Sequence, residues 1–501
     1  MTETNLRRSF LLGLAGAGTA ALPARAQSVP GAGVFNVVQF GAARSGRDFD
    51  TKAIQTAIDA CAAAGGGVVY FPPGLYHSGG LLLRSKVHLY LEAGATLLGS
   101  TQLDDYPKII PKTRSYTDNY TERSLIYGED LDNIGLHGHG VIDGRGAAFQ
   151  GPYKVRPYMI RLVSCRDVAV TGLTIRDSPM WVQHYLACDD VLIHGITVHS
   201  RVNANNDGID IDCCERVAIS DCNISSGDDA IVLKSTMNRP TRSVAITNCV
   251  LSSHCNAFKL GTESNGGFED IVLSNCTMYD TRLSGIAIEM VDGGLLDGVN
   301  VSNVSMRDVK SVIFIRLGDR GRPFEEGGPR PGAGKLRNVQ IANVKATGAG
   351  KVGCAISGIP GHDIENVVIR DVSILAEGGV KETPDDVPEH PDKYPEHQMF
   401  GTLPAYGFFC RHVRNIRFDG VETSFADPDE RPALVCHDVR QLGLAGSTLA
   451  ARSTVVRLRQ VEGALIHGCR VAQPAGLFLE AAGAKGISLI GNDLAQAREA
   501  V

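Results

Sequence analysis

From Val168 onward the chain repeats a short phrase in which apolar and polar residues alternate before Asn, Asp, Ser or Gly breaks the run. Units begin at Val168, Val191, Val217, Val244, Ile271, Val299, Val339 and Val367, at spacings of 23, 26, 27, 27, 28, 40 and 28. Alternation over such short stretches is the pattern of half-buried strands, and no helical period runs through the middle of the chain. Repetition at about 20 to 30 residues means stacked supersecondary units. The Leu-x-x-Leu-x-Leu-x-x-Asn frame of leucine-rich repeats is absent, and β-branched residues lead each unit. The expected fold is therefore all-β, a right-handed parallel β-helix with one unit per coil and like residues stacked about 4.8 Å apart.

The sixth place of each unit reads Leu173, Ile196, Cys222, Cys249, Cys276, Val304, Val344 and Val372. Cysteines that alternate with Leu, Ile and Val in one column are core packing, so the 13 cysteines are not read as a disulfide framework. A helix is expected from Asp50, as N-cap, through TKAIQTAIDACAA, with Ala53, Ile54, Ala57, Ile58 and Cys61 on one face. It is expected to cap the open N-terminal end of the solenoid. Weaker coil phrases at Ile416–Val421 and Val461–Val471 carry the solenoid almost to the C-terminus. Two stretches interrupt the repeat, Gly318–Arg337 and Ala376–Tyr406; inserted loops in a solenoid tend to gather on one face, often the binding face.

Arg7-Arg8-Ser9-Phe10-Leu11, an apolar stretch to Leu22 and Ala24-Arg25-Ala26 read as a twin-arginine export signal over 1–26, leaving 27–501 as the β-helix. The protein is expected in the periplasm or outside the cell. Hydrophobic residues at 43% and charged residues at 21% fit a globular chain, and the net charge of −6 has no basic block. Nucleic acid and membrane are not expected partners, and a monomer is expected.

Aligned on the second strand of each coil, Asp207-Gly208-Ile209-Asp210-Ile211-Asp212 lies beside Asp229-Ala230-Ile231-Val232-Leu233-Lys234. Next come Asn256-Ala257-Phe258-Lys259-Leu260-Gly261, Ser284-Gly285-Ile286-Ala287-Ile288-Glu289 and Ser311-Val312-Ile313-Phe314-Ile315-Arg316. The third and fifth columns are apolar and face the core; the first, fourth and sixth face out or lie at the strand edge. Asp207 and Asp229 then stack about 5 Å apart, with Asp228 next along the chain. Three carboxylates this close repel one another, so at least one keeps its proton to a raised pH. An acid beside ionised carboxylates is what glycoside hydrolysis needs. An Asp ladder capping the turns, or a calcium site, is the alternative reading of these residues.

The two phrases Asn205-Asn206-Asp207-Gly208-Ile209-Asp210 and Gly227-Asp228-Asp229-Ala230-Ile231 resemble the paired signature of the polygalacturonase family, glycoside hydrolase family 28. FNVVQFGA, AIQTAIDAC, GHGVIDGRG and SPMW extend the likeness over most of the chain. The resemblance implies a pectin-lyase-like solenoid that hydrolyses a pectic polysaccharide with inversion and without cofactor or metal. It implies Asp228 as general acid, with Asp207 and Asp229 holding the water. The family's Gly-His-Gly falls at Cys255-Asn256-Ala257, leaving His254 nearby, and its Arg-Ile-Lys falls at Ala287-Ile288-Glu289. Lys259 and Arg316 lie in the columns of the two lost cations, so Asn256, His254, Lys259, Glu289 and Arg316 are the candidate substrate-binding residues. The missing histidine resembles the rhamnogalacturonan hydrolases of the family. A polysaccharide lyase and a noncatalytic carbohydrate-binding solenoid are the alternatives. The pair His137 and His139 reads as a surface feature, and Trp181 as a buried aromatic rather than a sugar platform.

Overall fold

The computed structural model describes residues 33–115, 121–382, 384 and 386–501; the export signal expected at 1–26 lies outside them. Strands from Gly33–Asn36 to Ala497–Glu499 pair in parallel with the equivalent strands of neighbouring coils, those inside the stack with one coil before and one coil after. Ile209–Asp212, for example, pairs with Gln183–Leu186 on one side and Ile231–Ser235 on the other. This pairing closes the chain into a parallel β-helix.

The register follows the repeat residue by residue. Val168 pairs with Val191, then Val217, Val244, Ile271, Val299, Val339 and Val367 in succession. A slip of one residue would turn every apolar side chain outward, so burial of one face locks the stack. The corners have their own device. Asn275, Asn303, Asn343, Asn338, Asn366 and Asn415 all hold positive φ, a conformation their short side chains tolerate. Their amides bond from coil to coil: Asn303 donates to Asn275 at 3.1 Å, Asn343 to Asn303 at 3.1 Å and Asn415 to Asn366 at 2.8 Å.

Inside, the apolar columns form one continuous core along the solenoid. All 13 cysteines are free, and Cys222, Cys249 and Cys276 lie buried in the column shared with Val304 and Val344. The helix α1 spans Thr51–Ala63 and buries Ile54, Ala57, Ile58 and Cys61 against the first strands. Asp50 stands at its N-cap position, but its carboxylate accepts from Ala43 N–H instead of a helix amide. Among the described residues no helix is long and apolar enough to cross a membrane.

One expectation is corrected. The columns pointing away from the core between residues 207 and 316 are not solvated: Asp210, Asp212, Lys234, Lys259, Glu289 and Arg316 are all buried. The inserted loops lie over this face, as the contacts of Glu389, Glu396, Arg320 and Arg322 show.

Candidate active site

The site forms where three successive turns stack ahead of the strands beginning at Ile209, Ile231 and Phe258. Gly208 N–H donates to the Asp229 carbonyl at 2.9 Å, and Ala230 N–H to the Asn256 carbonyl at 2.9 Å, which fixes the turns one above another. Gly208 has no room for a side chain: an added Cβ would lie 2.5 Å from the Ala230 carbonyl oxygen. The Asp228 carbonyl is held by the Ser226 and Ser253 hydroxyls, each donating at 2.6 Å. Its carboxylate accepts from Asp229 N–H at 2.9 Å.

Asp207 and Asp229 are 3% and 4% exposed, whereas Asp228 is partly open to solvent. Asp229 Oδ1 accepts from Asn256 N–H at 3.1 Å and Asn256 Nδ2 at 2.8 Å, and its Oδ2 lies 3.4 Å from Lys259 Nζ. Asp207 Oδ2 lies 3.9 Å from Lys234 Nζ. Burial pushes the Asp207 carboxyl well above the usual carboxylate range, and the charge of Asp228 adds to it. Asp228 is raised for the same first reason, with Asp229 as the repelling neighbour.

Two lysines hold the surrounding carboxylates together. Lys234 Nζ is 3.5 Å from Asp210 and 3.5 Å from Glu263, and sits 4.7 Å over the Trp181 ring. Lys259 Nζ is 3.4 Å from Glu289 and 3.2 Å from Glu396. Burial works to lower both ammonium groups, yet the adjacent carboxylates outweigh it and raise both. Glu289 is fully buried; that burial pushes its carboxyl well above the usual range, against the pull of Lys259.

The structure thus brings Asp207, Asp228, Asp229, Asn256, Lys259 and Glu289 into one network. His254 stands at its edge, its Nε2 3.2 Å from Arg201 Nη1 and its imidazole held below the usual range by burial and the nearby Arg201 and Arg282. Arg316 does not face an open groove. It is fully buried and donates to Ser357 Oγ and to the carbonyls of Gly358, Glu389 and His390 at 2.7–3.1 Å. Glu289 makes its ion pair with Lys259 beneath the loops.

Four participants escape a reading of the repeat. Glu396 and Tyr394 come from the second loop, with Tyr394 Oη 3.4 Å from Lys259 Nζ. Arg320 and Arg322 come from the first, where both grip Asp292 and Arg322 also pairs with Glu263 at 2.7 Å. The break in the repeat at Ala376–Tyr406 marks the second loop, not which of its residues reaches the site. Trp181 is buried beneath Lys234, and His137 pairs with His88 at 2.9 Å elsewhere on the solenoid. Among the described residues one group could offer a metal three ligand atoms, Asp228, Asp229 and Cys255, within 4.8 Å of one another. Lys259 already supplies positive charge there, and burial pushes the Cys255 thiol up, so the group suits proton transfer better than cation binding.

A parallel β-helix with a buried carboxylate cluster under two inserted loops defines the class of protein. Residues 84–390 match the model of glycosyl hydrolases family 28. The chain belongs to that family. A probable polygalacturonase of Vitis vinifera is 35% identical over 218 residues, 40% of this chain and 44% of that protein, so the match spans less than half of that relative. A polygalacturonase of Persea americana is 26% identical over 369 residues, 70% of this chain and 75% of that one. The crystal structure of a hyperthermoactive exopolygalacturonase from Thermotoga maritima superposes with a TM-score of 0.60 at 22% identity, over 69% of this chain and 87% of that one. That likeness gives the fold, the right-handed parallel β-helix.

Proposed function

We propose that the protein is a pectin-degrading glycoside hydrolase acting by a single inverting displacement. The carrying observation is the difference in access within the trio: Asp228 is the member open to solvent and its carboxyl is raised, whereas Asp207, also raised by burial, and Asp229, paired with Lys259, are enclosed. A carboxyl that keeps its proton can give it to the leaving glycosidic oxygen as the bond breaks. Asp207 and Asp229 then hold a water against the opposite face of the sugar, and Asp229, paired with Lys259, accepts its proton as it attacks C1. Asn256, by donating to Asp229 Oδ1, sets the direction of that carboxylate's free lone pairs.

The substrate we propose carries a sugar other than galacturonate beside the scissile bond, as in rhamnogalacturonan. Lys259, which would meet a uronate carboxylate, is already enclosed by Asp229, Glu289 and Glu396, and Arg316 is held by the second loop. In this reading residues 27–501 form the catalytic solenoid, with α1 covering its N-terminal end. The protein is exported by the twin-arginine route to the periplasm or the cell exterior and works as a monomer without a cofactor.

The test is NMR of the products when the mature protein and its Asp228→Asn variant digest polygalacturonan, rhamnogalacturonan and xylogalacturonan. New reducing ends of inverted configuration, lost in the variant, support the reading. An unsaturated product makes the protein a lyase.

A further inference from the structure

The outward column that crosses the site can be followed coil by coil: Tyr127, Arg161, His184, Asp210, Val232, Lys259, Ala287, Phe314, Ala355, Phe409 and Val435. A polysaccharide bound by its middle needs an open groove across this column. Neither end is open.

On the C-terminal side the second loop plugs the groove. Val387, Phe400, Leu403 and Ala405 pack on Phe314, Ala355, Phe409 and Val435, all eight of them buried. The plug is stapled to the strands by two guanidinium groups: Arg316 on the carbonyls of Glu389 and His390, and Arg411 on those of Val387 and Pro388 at 2.6 and 3.1 Å. From the same loop Tyr394 and Glu396 lean over Lys259, one coil beyond Asp229.

On the N-terminal side Tyr158, Met180 and Trp181 form a second buried wall, with Arg161 stacked 4.8 Å over the Tyr158 ring. The chain before this wall lies across it: Arg161 donates to the Thr121 carbonyl at 3.2 Å, and Ile109 packs on Tyr127, Val163 and Leu186. His184 to Phe314 is five coil steps, or about 24 Å at 4.8 Å per coil, and both walls touch the network itself. Trp181 contacts Lys234, and Glu396 contacts Lys259. What stays accessible is the turn side, at Asn205, Asp228, His254 and Arg282.

Taking the proposed hydrolysis as its basis, we infer that the protein cuts from a chain end: the terminal sugars enter a pocket closed along the solenoid on both sides, and the rest of the glycan leaves past the turns at His254 and Arg282. A buried apolar plug of this kind does not swing aside for a passing chain, because opening it exposes eight apolar side chains and takes from Arg316 and Arg411 the loop carbonyls they hold.

The experiment follows the wild-type protein on polygalacturonan, rhamnogalacturonan and xylogalacturonan, measuring solution viscosity, reducing ends and product length together. Release of one small product from the first minutes, with viscosity falling only in proportion to bonds cleaved, is the expected result. A ladder of long oligomers with early collapse of viscosity overturns chain-end cleavage and leaves the hydrolase standing. No cleavage of any of the three removes the proposed function, and this inference with it. Replacing residues 387–405 by a short Gly-Ser linker, which removes Val387, Phe400, Leu403 and Ala405 together, is expected to raise viscosity loss per reducing end severalfold. The wild-type pattern decides the matter even if that variant fails to fold.

Discussion

Two stacks on the same solenoid obey opposite rules. At Cys222, Cys249 and Cys276 the chain places one small apolar group above another, with Val304 and Val344 continuing the column. At Asp207 and Asp229, two turns of the same helix place like charges one above the other, beside Asp228, Asp210, Glu263, Glu289 and Glu396. The first stack is what a repeat gives freely, since neighbouring apolar atoms remove one another from water. The second opposes folding: each carboxylate loses hydration and is repelled by its neighbours, and two lysines offset only part of it. A fold that retains such a cluster keeps a proton on a carboxyl where substrate can reach it, which is the property hydrolysis needs. The same geometry of stacking serves stability in one column and chemistry in the other.

Four sets of substitutions test that contrast. Asp228→Asn should lower the hydrolytic rate by about 10²- to 10⁴-fold, with the circular dichroism spectrum unchanged, since it removes the transferable proton and little else. Lys234→Met should destabilise by about 3 to 5 kcal/mol, read as a fall in unfolding temperature, because Asp207, Asp210 and Glu263 lose their shared cation. Adding Asp210→Leu to that variant should return part of the loss.

Glu289→Gln tests the cost of buried acidity directly. Its folded carboxyl lies well above the unfolded value of 4.5, so the stability it contributes is fully present below that value and lost as pH rises toward the folded one. The amide has no such titration. The variant should match the wild type below about pH 4 and exceed it at pH 7 by about 1 to 3 °C in unfolding temperature. The smallest effect belongs to the other stack: Cys222, Cys249 and Cys276 all changed to Val should shift stability by less than about 1.5 kcal/mol and leave activity intact. A large loss there would mean the thiols do more than fill space.

The columns themselves could be read without coordinates. Units that start at Val168, Val191 and Val217 pair at those residues, and the alignment of Asp207, Asp229 and Asn256 is the one the turns adopt. Alternation at period two and repetition at a coil's length leave one register that buries every apolar residue, so a local pattern suffices to state a long-range pairing. Asp50 marks the limit of such local rules, since its carboxylate turns to Ala43 rather than to the helix it begins.

What the repeat determined by itself was therefore the stack: which residues lie above which, where the cysteines pack, and that three aspartates meet. Tertiary structure alone decided what covers them. Nothing in the order of residues from 376 to 406 says that Glu396 reaches Lys259, that Arg316 turns from the groove to the carbonyls of Glu389 and His390, or that Phe400 closes the groove over Phe314. A repeat carries its neighbours' positions in its period. A loop has no period, and its path is set by which distant apolar surface and which unpaired guanidinium groups it can satisfy.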